Sequence, residues 1–241
     1  MRITSLNALI FVAVVLPLPA NAAVLPEDRV DVLYHAYSGG GVEVTGPSIL
    51  VRKSLGANVS FAANYYVDDI TSASIDVVTQ GSPYTEDRTE VSLAADLVYG
   101  DTTFGVGSAN SEENDYSGSN YWFGVTQDFF GGLSTLSLGY GRASDEVRKN
   151  GTPTFKQAIE RRNYRLGLTQ VLTKNALLGI TFETITDEGF LNNPYRSYRF
   201  LDAASAIGYS YALEAYPGTR TSNAASCLLY TSDAADEEDS V

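Results

Sequence analysis

Six charged residues fall on the polar side of segments in which apolar and polar residues alternate; they are Asp68, Glu90, Asp96, Asp128, Arg165 and Glu183. Successive side chains of a β-strand point to opposite faces, so these residues are predicted to share one face of a sheet. Around a water-filled lumen, such charges select solutes. Inside a small barrel they pair with one another and fill the interior. The sequence alone leaves both interpretations open.

His35 is the only histidine, and it lies in the first alternating segment, VDVLYHAYS. Catalysis would require a nucleophile and a base within hydrogen-bonding reach, and no GxSxG motif supplies a serine. One histidine and one cysteine are too few for a zinc or Cys/His site built by the protein alone. We therefore predict no enzyme activity, no catalytic residue and no cofactor.

Three polar stretches, residues 85–87, 111–115 and 186–189, are rich in carboxylates. Carboxylate and amide oxygens are the ligands that Ca²⁺ prefers. None of the stretches matches an EF-hand loop, and acidic loops are common on exposed surfaces. Calcium binding stays an alternative, and no metal ligand is assigned.

The composition favours strands over helices and excludes one class of partner. The chain has 241 residues with 16 Tyr, 21 Gly and 44% hydrophobic residues, a mixture typical of strands and turns. The formal net charge is −13, which argues against a nucleic-acid partner because phosphates are bound by clustered Lys and Arg.

The first 22 residues have the three parts of a secretory signal peptide. Arg2 precedes an apolar run, LIFVAVVL, and the sequence ANA at residues 20–22 supplies a small-residue cleavage site. The apolar run is too short to span a bilayer as a helix. Cleavage after Ala22 predicts a mature protein that lies beyond the inner membrane.

The mature chain alternates apolar and polar residues with a period of two. In residues 58–68, one face collects Val59, Phe61, Ala63, Tyr65 and Val67, and segments 90–99, 136–140, 164–172 and 178–183 behave alike. The other face mixes charges with Gly, Ser and Thr, as a wet lumen would. Soluble β-sandwiches also alternate, but their outer faces carry more Lys and Glu.

Connection lengths point to a membrane barrel. Short turns are predicted at residues 55–57, 99–101, 130–132 and 173–175, and long polar loops at 69–88, 108–120, 144–163 and 187–219. Strict alternation places all short turns at one end of the sheet, as in outer-membrane barrels with tight periplasmic turns and long extracellular loops. Nine complete strands and the start of a tenth, near Arg220, are predicted.

Aromatic residues near the predicted strand ends would form the interfacial girdles of such a barrel. They are Tyr65, Tyr66, Tyr99, Tyr121, Trp122, Phe129, Phe130, Tyr140 and Tyr164. Unpaired strand edges cannot face lipid, so the sheet is expected to close, with an even number of strands.

Several stretches together resemble a family of uncharacterised Gram-negative outer-membrane proteins, a domain of unknown function. They include the segment from VLPEDRVDVLYHAYSGGG to IDVVT, then SPYTEDRTEVSL, NSEENDY, TQDFFGG, LSLGY, LTQVLTKN, and ITDEGFLNNPYRS with RFLD. The resemblance runs from about Val24 to Ala225. It implies a β-barrel without an established substrate, usually in a longer chain, and it assigns no site residues.

The last fifteen residues, CLLYTSDAADEEDSV, depart from this pattern. The codons for residues 227–237 can be written as the transposon-end adapter of sequencing libraries, so we expect native sequence to stop near Ser226. Finding these codons in the genomic locus would refute this. The predicted organisation is a signal peptide at 1–22, a truncated barrel at 23–226 and a non-native tail at 227–241.

These features predict an all-β antiparallel barrel of the Gram-negative outer membrane, in contact with outer-membrane lipid and the barrel assembly machinery. The expected role is a passive, porin-like solute channel or a structural envelope protein. A barrel whose surface loops bind ligands or mediate adhesion is the alternative, and a lipid-acting barrel enzyme is less favoured. Solute, pore radius and oligomeric state do not follow from the sequence.

Overall fold

A computed structural model describes residues 23–39, 42–72 and 84–231. The signal-peptide prediction at 1–22 and the end of the chain from 232 lie outside the described residues. Twelve strands follow one another: β1 (Arg29–Gly39), β2 (Val42–Leu55), β3 (Val59–Ser72), β4 (Tyr84–Tyr99), β5 (Thr102–Glu112), β6 (Tyr116–Phe129), β7 (Ser134–Arg148), β8 (Lys156–Thr173), β9 (Ala176–Gly189), β10 (Ser197–Leu201), β11 (Tyr209–Leu213) and β12 (Thr219–Thr231).

Ten of these strands form one antiparallel sheet in the order β1 to β9 followed by β12. Strands β10 and β11 form a separate hairpin within the β9–β12 connection. The described residues contain no helix, which confirms the all-β antiparallel prediction. Within them, β1 pairs only with β2 and β12 pairs only with β9, so the sheet is open at both edges.

The four predicted short turns are confirmed. They join β2 to β3, β4 to β5, β6 to β7 and β8 to β9, all at one end of the sheet, which we call the turn end. Gly56 and Gly100 have φ angles of 71° and 59°. An L-residue with a Cβ rarely adopts this left-handed conformation, so glycine suits these tight reversals.

The opposite, loop end differs from the prediction because the strands extend further. β5 reaches Glu112 and β6 begins at Tyr116, which leaves a connection of only 113–115 where 108–120 was predicted as loop. The β7–β8 connection is likewise reduced to 149–155. Ladder hydrogen bonds join backbone groups, so polar Ser, Asn and Glu residues continue a strand after its apolar face has ended.

The two faces of the ten-stranded sheet have opposite chemistry. One face, which we call the apolar face, exposes large hydrophobic side chains such as Phe61, Leu93, Phe123 and Leu138. The other, the polar face, holds buried Asp68, Asp96, Asp128, Asp145 and Asp187.

Strand β12 continues through the segment predicted to be non-native. Cys227 pairs with Ile180 and Thr231 pairs with Ala176, in unbroken register with the pairs from Thr219 onward. The assignment of residues 227–241 to a non-native tail stays a prediction. Across the part of the chain that the structure describes, no helix is long and apolar enough to cross a membrane.

Candidate functional site on the polar face

The six charged residues singled out in the sequence all lie on the polar face. Register connects three of them directly across six strands, in the row Asp96, Gly105, Gly124, Gly139, Arg165 and Glu183. Asp128 lies four residues beyond Gly124 on β6, and Asp68 pairs in register with Arg88, two residues from Glu90. Alternation along each strand then gives all six the same side.

At the loop end, His35 belongs to a hydrogen-bonded cluster rather than to a catalytic pair. Its Nε2 lies 2.7 Å from Oδ1 of Asp68 and 3.1 Å from the Tyr66 hydroxyl, and the two rings are stacked at 4.7 Å. Among the described residues, no serine, threonine or cysteine side chain hydrogen-bonds this ring. The geometry therefore fits a structural role for His35.

Arg88 is the centre of this cluster. Its guanidinium lies 2.6 Å from Glu90, 3.6 Å from Glu113 and 3.7 Å from Asp68, which is only 5% exposed. Arg88 also donates a hydrogen bond of 3.0 Å to the Ser111 hydroxyl. A buried carboxylate is costly unless it is paired, and Asp68 has both His35 and Arg88 as partners.

Beside Arg88, three carboxylates converge with few cations to compensate them. Glu86, Glu113 and Asp115 bring carboxylate oxygens within 4.8 Å of one another. Burial, followed by a hydrogen bond to Asp115, raises the pKa of Glu86 to about 7, and burial also raises the pKa of Glu113. The Tyr195 hydroxyl donates a 2.6 Å hydrogen bond to Asp115 from the β9–β12 connection.

These three groups are the side chains best placed to hold a hard cation such as Ca²⁺. The structure thus brings together two of the acidic stretches noted in the sequence, 85–87 and 111–115. Residues 186–189 contribute Asp187 to a different cluster. The carboxyl–carboxyl hydrogen bond also accounts for the proximity of Glu86 and Asp115 when one of them is protonated.

A second ionic cluster occupies the loop end of β6 to β12. Arg161 lies 3.5 Å from Asp187 and 3.8 Å from Asp145, and Arg220 donates to Asp187 at 2.5 and 2.8 Å. Tyr116 donates a hydrogen bond to Asp145. Sequence reasoning missed Tyr116 and Arg161 because they lie where loops were predicted, although alternation continued through these residues would have placed both on the polar face.

Toward the turn end, three of the carboxylates each have a polar partner. Arg52 pairs with Asp96 at 2.6 Å, and Thr135 donates a 2.5 Å hydrogen bond to Asp128. Asn163 donates a 2.8 Å hydrogen bond to Glu183. Such local pairing lets a charged face exist without a water molecule at every group.

Two aromatic residues assigned to an interfacial girdle lie on the polar face instead. Tyr66 stacks on His35, and Trp122 overlies Gly107, where an added Cβ would lie 2.1 Å from Cζ2 of the indole. Their sequence neighbours Tyr65 and Tyr121 point to the apolar face and are exposed. The girdle prediction was wrong for Tyr66 and Trp122 because adjacent strand residues cannot share a face.

On the apolar face, one register row is apolar from β2 to β9: Leu55, Val59, Leu97, Phe104, Val125, Leu138, Leu166 and Phe182. A row nearer the loop end changes character along its length. It begins with Val32, Ile49, Tyr65 and Val91 and continues with Asn110, Ser119, Ser144, Glu160 and Glu188. The apolar band therefore runs obliquely across the strands.

Comparison with known proteins gives a family without an assigned activity. No curated protein and no solved structure matches the chain significantly. A family model described as "Protein of unknown function (DUF3570)" matches residues 76–239, a range that includes β4 to β12, the second ionic cluster, and Arg88 with its neighbouring carboxylates Glu86, Glu113 and Asp115. The match covers more than half of the chain, and the protein therefore belongs to this family of unknown function.

Proposed function

We propose that this protein is a β-barrel of the Gram-negative outer membrane that acts as a passive solute pore or, if its lumen is closed, as a structural envelope protein. The observation that carries the proposal is the inverted polarity of the sheet. Large hydrophobic side chains are exposed on one face, and carboxylates and arginines are buried on the other. Contiguous apolar surface of this extent is unfavourable in water and favourable against lipid.

The oblique course of the apolar band supports a tilted arrangement in a bilayer. Val51 is central to the apolar stretch of β2, and the register row that starts there reaches Thr186 on β9. On β9, however, the apolar stretch is centred on Ile180, so its centre has moved by six residues between the two strands. Six residues correspond to about 20 Å along a strand, and seven strand spacings correspond to about 34 Å. The ratio gives a tilt of roughly 30°, near the range of outer-membrane barrels.

The length of the apolar stretches fits the same environment. On β3, β4, β6 and β8 the stretches of mainly apolar and aromatic side chains on the apolar face extend over residues 59–67, 91–99, 121–129 and 164–172, with Gln127 and Gln170 as polar interruptions. A tilted strand of about nine to eleven residues crosses the hydrocarbon core. In lipid, the free edges of β1 and β12 must find partners, so we expect closure to accompany insertion.

The single tryptophan provides a test of this orientation. Brominated lipids quench tryptophan that faces the acyl chains, so emission from Trp122 in vesicles should be almost unaffected. The matched variant Trp122→Phe/Tyr121→Trp moves the fluorophore by one residue to the apolar face and should be strongly quenched. Equal quenching of the two proteins, or none in either, would overturn the membrane assignment.

Conductance then separates a pore from a closed barrel. The full chain inserted in planar bilayers should give discrete current steps if the charges of the polar face line water. Zero conductance from folded, inserted protein would favour the structural role or the adhesion alternative.

The β10–β11 hairpin favours that alternative, in which surface loops bind a partner. An isolated two-stranded hairpin is marginally stable in water. This hairpin also exposes four large side chains that a partner could cover, Tyr198, Phe200, Leu201 and Tyr211. Tyr, Phe and Arg are enriched in protein interfaces, and Arg199 stacks on Tyr209 at 4.9 Å. Replacing residues 197–213 with a Gly-Ser linker should abolish cell-surface binding and leave conductance intact if the hairpin mediates adhesion.

A further inference from the structure

Trp122 occupies an unusual position for the only tryptophan in the chain. Its indole lies on the polar face of β6, and the backbone of Gly107 on β5 lies directly beneath it. On the other side, its register partner is Gly141 on β7. Glycines therefore flank the ring on both neighbouring strands, and neither supplies a side chain that could cover it.

The surroundings of Trp122 form a flat floor bordered by charged residues. The adjacent row toward the turn end contains Gly105, Gly124 and Gly139 between Asp96 at one side and Arg165 with Glu183 at the other. A Cβ added at Gly124 would meet nothing closer than 3.7 Å. At Gly105 and Gly139, the nearest side-chain atoms to an added Cβ are Oδ1 of Asp96 at 3.3 Å and Cβ of Arg165 at 3.5 Å, so the half-buried indole lies beside a glycine floor with a charged residue at each side.

Charge on the polar face favours cations. Along the strands, this face carries nine acidic residues, six arginines and no lysine; the acidic residues are Asp31, Asp68, Glu86, Glu90, Asp96, Asp128, Asp145, Glu183 and Asp187, and the basic residues are Arg29, Arg52, Arg88, Arg161, Arg165 and Arg220. Glu113 and Asp115 add to the acidic excess at the loop end. Walls with an excess of one charge concentrate the opposite charge between them.

From these two features we propose that the polar face binds organic cations of the quaternary ammonium type, with the indole of Trp122 as the contact platform. This inference rests on the proposed function, because the face must line an aqueous space. The negative face of an aromatic ring attracts cations, and tryptophan does so most strongly. The acidic loop end draws the cation in, and the glycine floor leaves room for its methyl groups against the ring.

A fluorescence titration of the folded full chain in detergent tests the site directly. Choline is the probe, and its uncharged isostere 3,3-dimethylbutan-1-ol is the matched control ligand. Choline should change Trp122 emission saturably, and the isostere should bind about fivefold more weakly, the factor that corresponds to about 1 kcal/mol of cation–π attraction. Equal responses to the two ligands would overturn the proposal.

Two matched pairs of variants test whether Trp122 is the binding platform. Gly107→Ala forces the indole to move and should abolish the choline response, whereas Gly179→Ala on β9, outside the glycine floor, has space for its methyl group and should retain it. By calorimetry, Trp122→Leu should lose choline binding and Tyr121→Leu on the apolar face should keep it. Retained binding in both Gly107→Ala and Trp122→Leu would refute the site.

Conductance measurements test the cation site separately from the proposal that the protein is a pore. In a KCl gradient the reversal potential should show preference for K⁺ over Cl⁻, reduced by Glu86→Gln/Glu113→Gln and unchanged by Glu188→Gln on the apolar face. Conductance without cation preference or choline response would overturn the inference and leave the pore intact. Saturable choline binding without conductance would overturn the pore and leave the site intact.

Discussion

Introducing an arginine at Leu138 discriminates a lipid-facing surface from a water-facing one. Leu138 is 53% exposed, is central to the apolar stretch of β7, and pairs in register with Val125 and Leu166. In water, such an exposed substitution changes the free energy of unfolding by less than about 0.5 kcal/mol. Near the bilayer midplane, arginine on the lipid face of a barrel costs about 2–4 kcal/mol.

Ser144 is the matched control, because it is exposed on the same strand and the same face. It lies six residues nearer the loop end, about 20 Å along the strand, beyond the apolar band. There, the cost of arginine should fall to about 0–1 kcal/mol. The expected difference between Leu138→Arg and Ser144→Arg is therefore about 2–3 kcal/mol.

Denaturant unfolding of the two variants and the parent protein in lipid vesicles, followed by tryptophan emission, measures this difference. Reversibility must be shown in each case, since only then does the midpoint report a free energy. If the two variants unfold within about 0.5 kcal/mol of each other, the apolar face does not contact lipid at this depth. The membrane orientation would then be wrong, whatever the conductance.

Further outcomes follow from particular contacts. Gly107→Ala should cost about 1–3 kcal/mol of unfolding free energy through overpacking against Trp122, while Gly124→Ala should cost less than 1 kcal/mol; equal costs would contradict the close approach. Arg88→Met should cost about 3–5 kcal/mol because Asp68, Glu90 and Glu113 lose the guanidinium that they share, whereas Arg142→Met, which removes an exposed partner of Glu160 at 2.7 Å, should cost far less. The pKa of Glu86 is raised on folding, so the native state binds more protons and stability should fall as pH rises from about 4.5 to about 7. Glu86→Gln should flatten this dependence in urea titrations between pH 4 and 8, and an unchanged slope would show that Glu86 is not the titrating group.

Alternation accounts for the parts of the site that could be predicted. A period of two fixes which residues share a face, so Asp68, Asp96 and Glu183 could be grouped before any contact was known. Short turns were recognisable because glycine supplies the left-handed conformation that a tight reversal needs, as at Gly56 and Gly100. Strand ends were misplaced because ladder pairing at residues 108–112 and 116–120 depends on the neighbouring strand rather than on hydrophobicity.

Partners across strands could not be derived in the same way. Arg88 contacts Glu113, which lies 25 positions away in the chain, and Tyr195 contacts Asp115, which lies 80 positions away. Their proximity depends on register, which is set by the complete ladder of backbone hydrogen bonds. The placement of Trp122 over Gly107 depends on the same register and reverses the girdle interpretation that its sequence context suggested.

The sequence by itself determined the all-β class, the two chemically distinct faces and the four tight turns, since these follow from local periodicity and backbone conformational preference. Only the tertiary structure decided which charges neutralise one another, where the carboxylates near Arg88 remain in excess and which aromatic side chains lie off the apolar face. The physical reason is that face assignment is a property of a single strand, whereas pairing, burial and close packing arise only when neighbouring strands are held in a fixed register.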